Sequence, residues 1–297
     1  MEMKKICVAG CKHTTKDFIL RLEKNGIIVN QCITISPMKG EEQKVAGYYD
    51  LEDFLFDRDI LYHVANKYNL MSDFDKGIIT SMAPDILLVM GWQRLIPKWF
   101  LDILPIGAFG MHGSSKPLPH GRGRSPINWS LIEGKKEFYT HLFQYLPGVD
   151  DGPIIGVQKF DINEFDTCLT LHHKNMLSMV KLCSEHLLKI IEGTAIRIPQ
   201  PIEGSTYYPK RTAKDGLIDW TKTTMEIYNL IRAVTRPFPG AFTYYTKKLI
   251  IWKAIPFDTQ LKYDYYEPGE IVENFYDGSF VIKTGDSSIL IQEYEYQ

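Results

Sequence analysis

Nowhere in the 297-residue chain do apolar residues approach the roughly 18 in succession that a membrane-spanning helix needs, so no membrane partner is expected. The opening MEMKKICVAG passes from charge straight into a strand-like segment, and the expectation is an unexported, cytoplasmic protein. Neither sign of charge dominates. Against 34 Lys and Arg stand 36 Asp and Glu, a net charge of −2 with no long block of one sign. Proteins that grip nucleic acid through its phosphates are usually more basic, so no nucleic-acid partner is expected either. Cysteine is scarce: Cys7, Cys11, Cys32, Cys168 and Cys183 are odd in number, scattered and without C-x-x-C spacing. That pattern predicts reduced thiols and no metal site of the zinc type. Gly10 is not followed by glycines at G-x-G-x-x-G spacing, so the usual dinucleotide fingerprint is missing and no nicotinamide cofactor is expected.

What is present is a globular composition, 44% hydrophobic and 12% aromatic, enough for one large core or two modest ones. Residues 6–9 (ICVA) read as a buried strand that turns through Gly10 into a helix over 15–24, ended by Asn25-Gly26. A second strand is predicted over 27–35 and a third over 85–90, with helical patterns across 57–68 and 73–81. This βαβ alternation predicts a parallel sheet with helices on both faces. Residues 107–112 give another strand, followed by a long glycine- and proline-rich loop, HGSSKPLPHGRGR (112–124). Loops of that size inside compact domains are usually functional. Ser125-Pro126 offers an N-cap and a proline at the first helical position. Strand-like runs at 138–146 and 153–160 flank the loop 147–152. A long helix capped by Asp166-Thr167 then carries Leu169, Met176, Val180, Cys183 and Leu187 on one face and stops at Gly193. Past the proline-bearing stretch 199–209 the character changes. One helix over 223–235 is followed by short strand-like runs at 241–246, 248–255, 269–274, 279–284 and 287–293. The fold class expected is α/β, a Rossmann-like mostly parallel sheet over 1–204 with a small C-terminal β-rich, OB-like domain over 205–297. The second part carries 11 Lys and Arg against 12 Asp and Glu, so it is no basic RNA-gripping module, while its β-rich surface suits a homodimer contact.

His112 falls where a strand ends and a glycine-rich loop begins, the place at which open α/β sheets present side chains to a ligand crevice. Asp150 lies on a second loop after another strand. A sheet that sets neighbouring strand ends together can pair them, and an imidazole held by a carboxylate is an acid, a base or a charge stabiliser. Two solvated surface groups are the plainer alternative. His172 and His173 are adjacent in a helix and do not share a face, so they form no metal pair. The cluster Tyr263, Tyr265 and Tyr266 reads as loop or edge-strand packing. Tyr207, Tyr208 and Arg211 at the domain junction either line an acceptor cleft or form a structural linker.

The run HGSSKPLPHGRGRSPINWSLIEG (112–134), then GVDDGPIIG (148–156), resembles the folate-dependent formyltransferases: methionyl-tRNA formyltransferase and the enzymes that formylate nucleotide-linked amino sugars. The segments DGLIDW (215–220) and YNLIRAVTRPFPGAFTY (228–244) are similar to the C-terminal part of that family, most of all to its sugar-modifying branch. The resemblance implies the formyltransferase fold, 10-formyltetrahydrofolate as co-substrate, and a catalytic constellation of Asn-x-His with an Asp on the second loop. Carried over, the His is His112 and the Asp is Asp150, while Gly110 stands where the Asn is expected. A backbone N–H, a water or Asn128 can replace it, and the residues alone do not choose. The resemblance also implies donor binding by Met90, Gly91, Trp92, Leu95 and Ile96 after the third strand, opposite a wall of Pro147, Gly148, Val149 and Asp151. For the acceptor it points to Gly10, Ser114, Arg122, Arg124, Tyr208 and Arg211.

Four functions are compatible with this reading. The expected one is formyl transfer to a nucleotide-linked amino sugar. The others are a methionyl-tRNA formyltransferase, a formyltetrahydrofolate hydrolase and a non-catalytic binding descendant. The near-neutral second part speaks against tRNA, the early first strand against the hydrolase, and the persistence of His112 and Asp150 against a bare scaffold.

Overall fold

Buried apolar tetrapeptides alternate with amphipathic helices through the first hundred residues, and in the computed structural model, which describes residues 4–201 and 203–297, they assemble one large sheet. The first three residues of the opening MEMKKICVAG lie outside the described residues. Strand β1 (Ile6–Ala9) is buried throughout because both its faces are covered. Helix α1 (His13–Lys24) follows, and Asn25 with Gly26 at φ +77° closes it. The alternation continues through β2 (Gln31–Thr34), α2 (Pro37–Glu42), α3 (Glu52–Phe56), β3 (Leu61–Val64), α4 (Asp73–Met82), β4 (Ile86–Val89), α5 (Lys98–Ile103) and β5 (Gly107–Ser114). Then come β6 (Arg122–Gly123), α6 (Pro126–Ile132), β7 (Glu137–Gln144), β8 (Ile154–Asp161), α7 (Cys168–Ile191) and β9 (Tyr207–Tyr208). Helix α8 (Thr224–Val234) leads into β10 (Ala241–Tyr244), β11 (Lys248–Asp258), β12 (Ile271–Asn274), β13 (Phe280–Lys283) and β14 (Ser288–Tyr296).

Seven strands form a sheet in the order β3-β2-β1-β4-β5-β7-β8. The first five pair in parallel, and β7 runs antiparallel to β5. Chain order reverses between β1 and β4. Open α/β sheets hold their ligands at such a reversal, beyond the carboxyl ends of the strands. Alternate residues of each strand feed two cores. Ile6, Val8, Ile86, Leu88 and Phe109 pack with Phe18, Leu22, Met176 and Met179 on one side; Cys7, Ala9, Leu87, Val89 and Ala108 pack with Ile33, Ile79 and Phe100 on the other. Each of the larger side chains among these (Val, Leu, Ile, Met, Phe), fully buried, contributes about 1.5–3 kcal/mol.

Three local expectations need correction. Residues 57–68 do not form a helix: Leu61–Val64 is the edge strand β3, paired in parallel with β2 from Gln31↔Leu61 to Thr34↔Val64. Leu61 is exposed and His63 buried, so the alternation is that of a half-covered edge, and the pairing overrides the local pattern. Leu169 is exposed, because the buried stripe of α7 runs through Cys168, Leu171, Met179 and Leu182 and leaves it at the margin. Helix α6 starts at Pro126 as expected, but Ser125 sits at φ +58° and its side chain caps nothing.

Compactness divides the chain into two units. One takes the described residues up to Gly123 with Tyr139–Phe160 and His173–Tyr207; the other takes Arg124–Phe138, Asp161–His172 and Tyr208–Gln297. Inside the second, Asn128 Nδ2 donates to the Ala233 carbonyl of α8 at 2.6 Å, and the Arg232 guanidinium donates to the carbonyls of Asn163 (2.8 Å) and Asp166 (3.0 Å). These bonds draw α6 and the segment before α7 into it. Its β-rich part is a five-stranded antiparallel sheet ordered β10-β11-β14-β13-β12. Among the described residues no helix is long and apolar enough to cross a membrane.

Candidate functional site

The carboxyl ends of β1 and β4 meet closely at the reversal of strand order. A Cβ on Gly10 would fall 2.0 Å from the Met90 carbonyl oxygen and 2.3 Å from Thr15 Oγ1, so no side chain fits there. Thr15 Oγ1 donates to that same carbonyl at 2.7 Å, and Gly91 leaves β4 at φ +84°. Gly10 thus lets two strand exits approach, which is a packing role. Beyond them the chain alternates inward and outward. Met90, Trp92 and Ile96 are buried, while Leu95 is 61% exposed. Tyr68 pins the turn: its ring lies edge-on to Trp92 at 4.7 Å and its hydroxyl accepts the Gln93 N–H at 3.0 Å. The N–H groups of Trp92, Arg94, Leu95 and Ile96 have no acceptor within the chain among the described residues, and Trp92 Nε1 is buried without a partner. A planar pterin edge with several acceptors fits such a row of donors.

His112 stands on β5, with its side chain buried. Its Nδ1 lies 3.3 Å from Asp150 Oδ2, and its Nε2 lies 2.7 Å from the Gly121 carbonyl. Both ring nitrogens thus face oxygen atoms, the Gly121 carbonyl and the Asp150 carboxylate. Asp150 is held from three directions. Its Oδ2 accepts the Gly123 N–H at 3.0 Å, and Gln200 Nε2 donates to the carbonyls of Asp150 (2.9 Å) and Gly152 (2.7 Å). Asp150 adopts φ +51°, a left-handed conformation unusual for a residue with a side chain and common where a site over-determines its backbone. Asp150 Oδ1 has no hydrogen-bond partner among the described residues.

The loop 147–151 is tight. A Cβ on Gly148 would meet Asp151 Oδ2 at 1.8 Å, one on Gly152 the Gln144 carbonyl at 1.7 Å, and Pro147, Val149 and Asp151 lie exposed around them. Arg122 is buried rather than open to a ligand: its guanidinium donates to Gln200 Oε1 (2.6 Å) and Tyr207 Oη (3.3 Å), which makes it part of the frame behind Asp150. Ser114 is likewise buried, opposite Tyr139.

Arg124, Tyr208 and Arg211 belong to the second unit. There Tyr208 stacks on Trp129 at 5.8 Å and the Arg211 guanidinium lies 4.9 Å over the Trp129 ring. Arg124 is exposed and its N–H donates to the Tyr208 carbonyl at 3.0 Å. Asn128 also belongs to the second unit, where its Nδ2 donates to the Ala233 carbonyl.

Sequence reasoning missed Gln200, His141 and Tyr145. The His141 ring is neutral by its contacts, accepting the Leu118 N–H at Nε2 (3.1 Å) and donating from Nδ1 to the His112 carbonyl (3.3 Å). Burial pushes its pKa down to about 4. A cavity of about 300 Å³ opens away from His112, lined among others by Lys39, Lys67, Tyr68 and Arg94.

Comparison with known proteins places this geometry in a class. Residues 4–183 match the family model described as formyl transferase, and residues 210–297 the model of the formyl transferase C-terminal domain. The chain belongs to the formyl transferase family. Solved structures share the fold. HypX from Aquifex aeolicus in complex with tetrahydrofolic acid matches with a TM-score of 0.69 at 17% identity, over 99% of this chain and 44% of that one. This chain therefore spans less than half the length of HypX. An N-formyltransferase from Helicobacter canadensis, solved with folinic acid and dTDP-3-aminofucose, matches with a TM-score of 0.68 at 19% identity over 98% of this chain and 99% of that one. Methionyl-tRNA formyltransferase from Clostridium thermocellum matches with a TM-score of 0.60 at 18% identity, over 99% of each chain.

Proposed function

We propose that the chain is an N-formyltransferase that moves the formyl group of 10-formyltetrahydrofolate to the amine of a nucleotide-linked amino sugar. The observation that carries the reading is the His112–Asp150 contact at 3.3 Å on the strand next to the reversal of chain order. Addition of an amine to a formyl carbon requires a proton acceptor and a fixed charge of opposite sign. Asp150 Oδ1 is the acceptor for the amine's proton. His112 faces the carboxylate from Nδ1 and the 115–121 loop from Nε2. The unpaired backbone donors of Trp92, Arg94, Leu95 and Ile96 suit the pterin edge.

The amino-sugar half of the proposal is supported by the Helicobacter canadensis N-formyltransferase, which was solved in complex with dTDP-3-aminofucose and is matched nearly end to end. It is also supported by a net charge of −2, which gives a polyanionic tRNA little to hold. The test is incubation with 10-formyltetrahydrofolate and a panel of dTDP-, UDP-, GDP- and CMP-linked amino sugars, following tetrahydrofolate release and the mass of the product. One acceptor is expected to be formylated, and Asp150→Asn to lower the rate about a hundredfold. Turnover of methionyl-tRNA with every sugar left untouched overturns the acceptor class.

A further inference from the structure

Antiparallel pairing of β5 with β7 gathers one row of side chains on a single face of the sheet. Residues two apart in a strand share a face, as do residues directly opposite in an antiparallel pair. Gly110 lies opposite Phe143 and His112 opposite His141. Tyr145 extends the row, its N–H donating to the Ala108 carbonyl at 2.8 Å. Its ring leans along that row, 5.0 Å from the Phe143 ring, and comes to lie over Gly110. A Cβ built on Gly110 would meet Tyr145 Oη at 2.6 Å. The hydroxyl therefore occupies the space that a side chain at position 110 would enter, one strand repeat (about 6.5–7 Å) from the Cβ of His112 on the same face.

Three facts say what a hydroxyl does there. Tyr145 is half-buried and its Oη has no hydrogen-bond partner among the described residues, so the hydroxyl is free to donate to a bound molecule. Burial, followed by the Asp150 charge, pushes the phenol well above its ordinary range, so it is a donor that keeps its proton. Both nitrogens of His112 are turned to other groups, Nε2 hydrogen-bonded to the Gly121 carbonyl and Nδ1 3.3 Å from Asp150.

We propose that Tyr145 is a catalytic residue whose hydroxyl donates a hydrogen bond to the formyl oxygen while the acceptor amine adds to the formyl carbon. This rests on the formyl-transfer reading above. As the new C–N bond forms, the π pair of the C=O bond moves onto the oxygen facing Tyr145, and Asp150 Oδ1 takes one proton from the amine. When the C=O bond re-forms, the bond to N10 of the folate breaks, and N10 leaves with the electron pair and receives that proton. Tyr145 gives up no proton in either step; it holds the negative oxygen between them.

The test is Tyr145→Phe, which keeps the ring over Gly110 and removes only the hydroxyl. With the acceptor found in the panel, kcat is expected to fall about 100- to 1,000-fold while the KM for the donor changes little. A second measurement needs no turnover. A hydrolysis-stable 10-formyl folate analogue, labelled with ¹³C at the formyl carbon, is bound and its carbonyl stretch read by infrared difference. The band is expected at lower frequency in the wild type than in Tyr145→Phe. A variant with wild-type kcat overturns the inference and leaves the formyl-transfer reading intact. A fall in kcat with no band shift also overturns it, since a packing defect does the same. A wild type that transfers no formyl group overturns the reading of function and the inference with it.

Discussion

At the scale of single residues, the site is built by groups that do no chemistry. Asp150 keeps its left-handed backbone because Gln200 holds its carbonyl and Gly123 its carboxylate, and Gln200 is itself fixed by the buried Arg122. His141 plays the same part for the loop after β5. Its Nε2 accepts a hydrogen bond from the Leu118 N–H, a bond that the doubly protonated ring cannot make. Its pKa is held near 4, against about 6.5 for an unfolded chain, so between those values the unfolded chain binds more protons than the folded one. Stability from this group is therefore complete above pH ~6.5 and is lost as pH falls to about 4, a change of about 3 kcal/mol. Urea unfolding from pH 7 to 4 should show this slope in the wild type and lose it in His141→Gln. Equal slopes in the two proteins would remove His141 from the acid response.

Among the elements, the decisive contact is that of the β1 and β4 exits. Because Gly10 faces a backbone carbonyl at 2.0 Å and Thr15 at 2.3 Å, Gly10→Ala forces two strand ends apart. Its expected cost is about 1–3 kcal/mol, the range for overpacking a tight core, read as a lowered midpoint in thermal unfolding. An unchanged midpoint would show that the exits separate freely. Gly10 is conspicuous in the sequence as the residue after ICVA, yet only the pairing of β1 with β4 shows what stands opposite it. The same division runs through the rest. The helices α7 and α8 were legible because burial of one face imprints a repeat on them, and the tetrapeptides of β1 and β4 because burial on both faces leaves a continuous apolar run. Strand β3 was not, since a half-covered edge leaves a weak repeat that reads equally well as helix. His112 and Asp150 could be picked out from the glycine- and proline-rich loops beside them. Gln200, His141 and Tyr145 come from places with no local signal: a linker and the interior of β7 and its exit. They reach the site only through long-range pairing, which no spacing along the chain encodes.

For the whole molecule, charge bears on whether the proposed acceptor is a sugar nucleotide or a tRNA. Association with tRNA releases counterions in proportion to the phosphates neutralised, and each contact steepens the fall of affinity with salt. A chain with 34 basic and 36 acidic residues, and with 11 against 12 in its last 93 positions, has little basic excess to spend. Clustering of lysines on one face can offset a neutral total. Such a face needs a run of basic side chains, and the basic residues after position 205 are spread singly or in pairs among acidic ones. A nucleotide-linked sugar asks for far less, since its diphosphate is met by one or two cations and a few backbone donors. The expectation is weak tRNA binding, with an affinity that falls by well under tenfold between 50 and 200 mM salt, against the 10³–10⁵ of a protein making six to ten phosphate contacts. Fluorescence polarisation with labelled initiator tRNA across that salt range measures it. A tight complex with a steep salt slope would mean that the basic residues converge on one surface in spite of the balance, and would move the acceptor from a sugar to a tRNA.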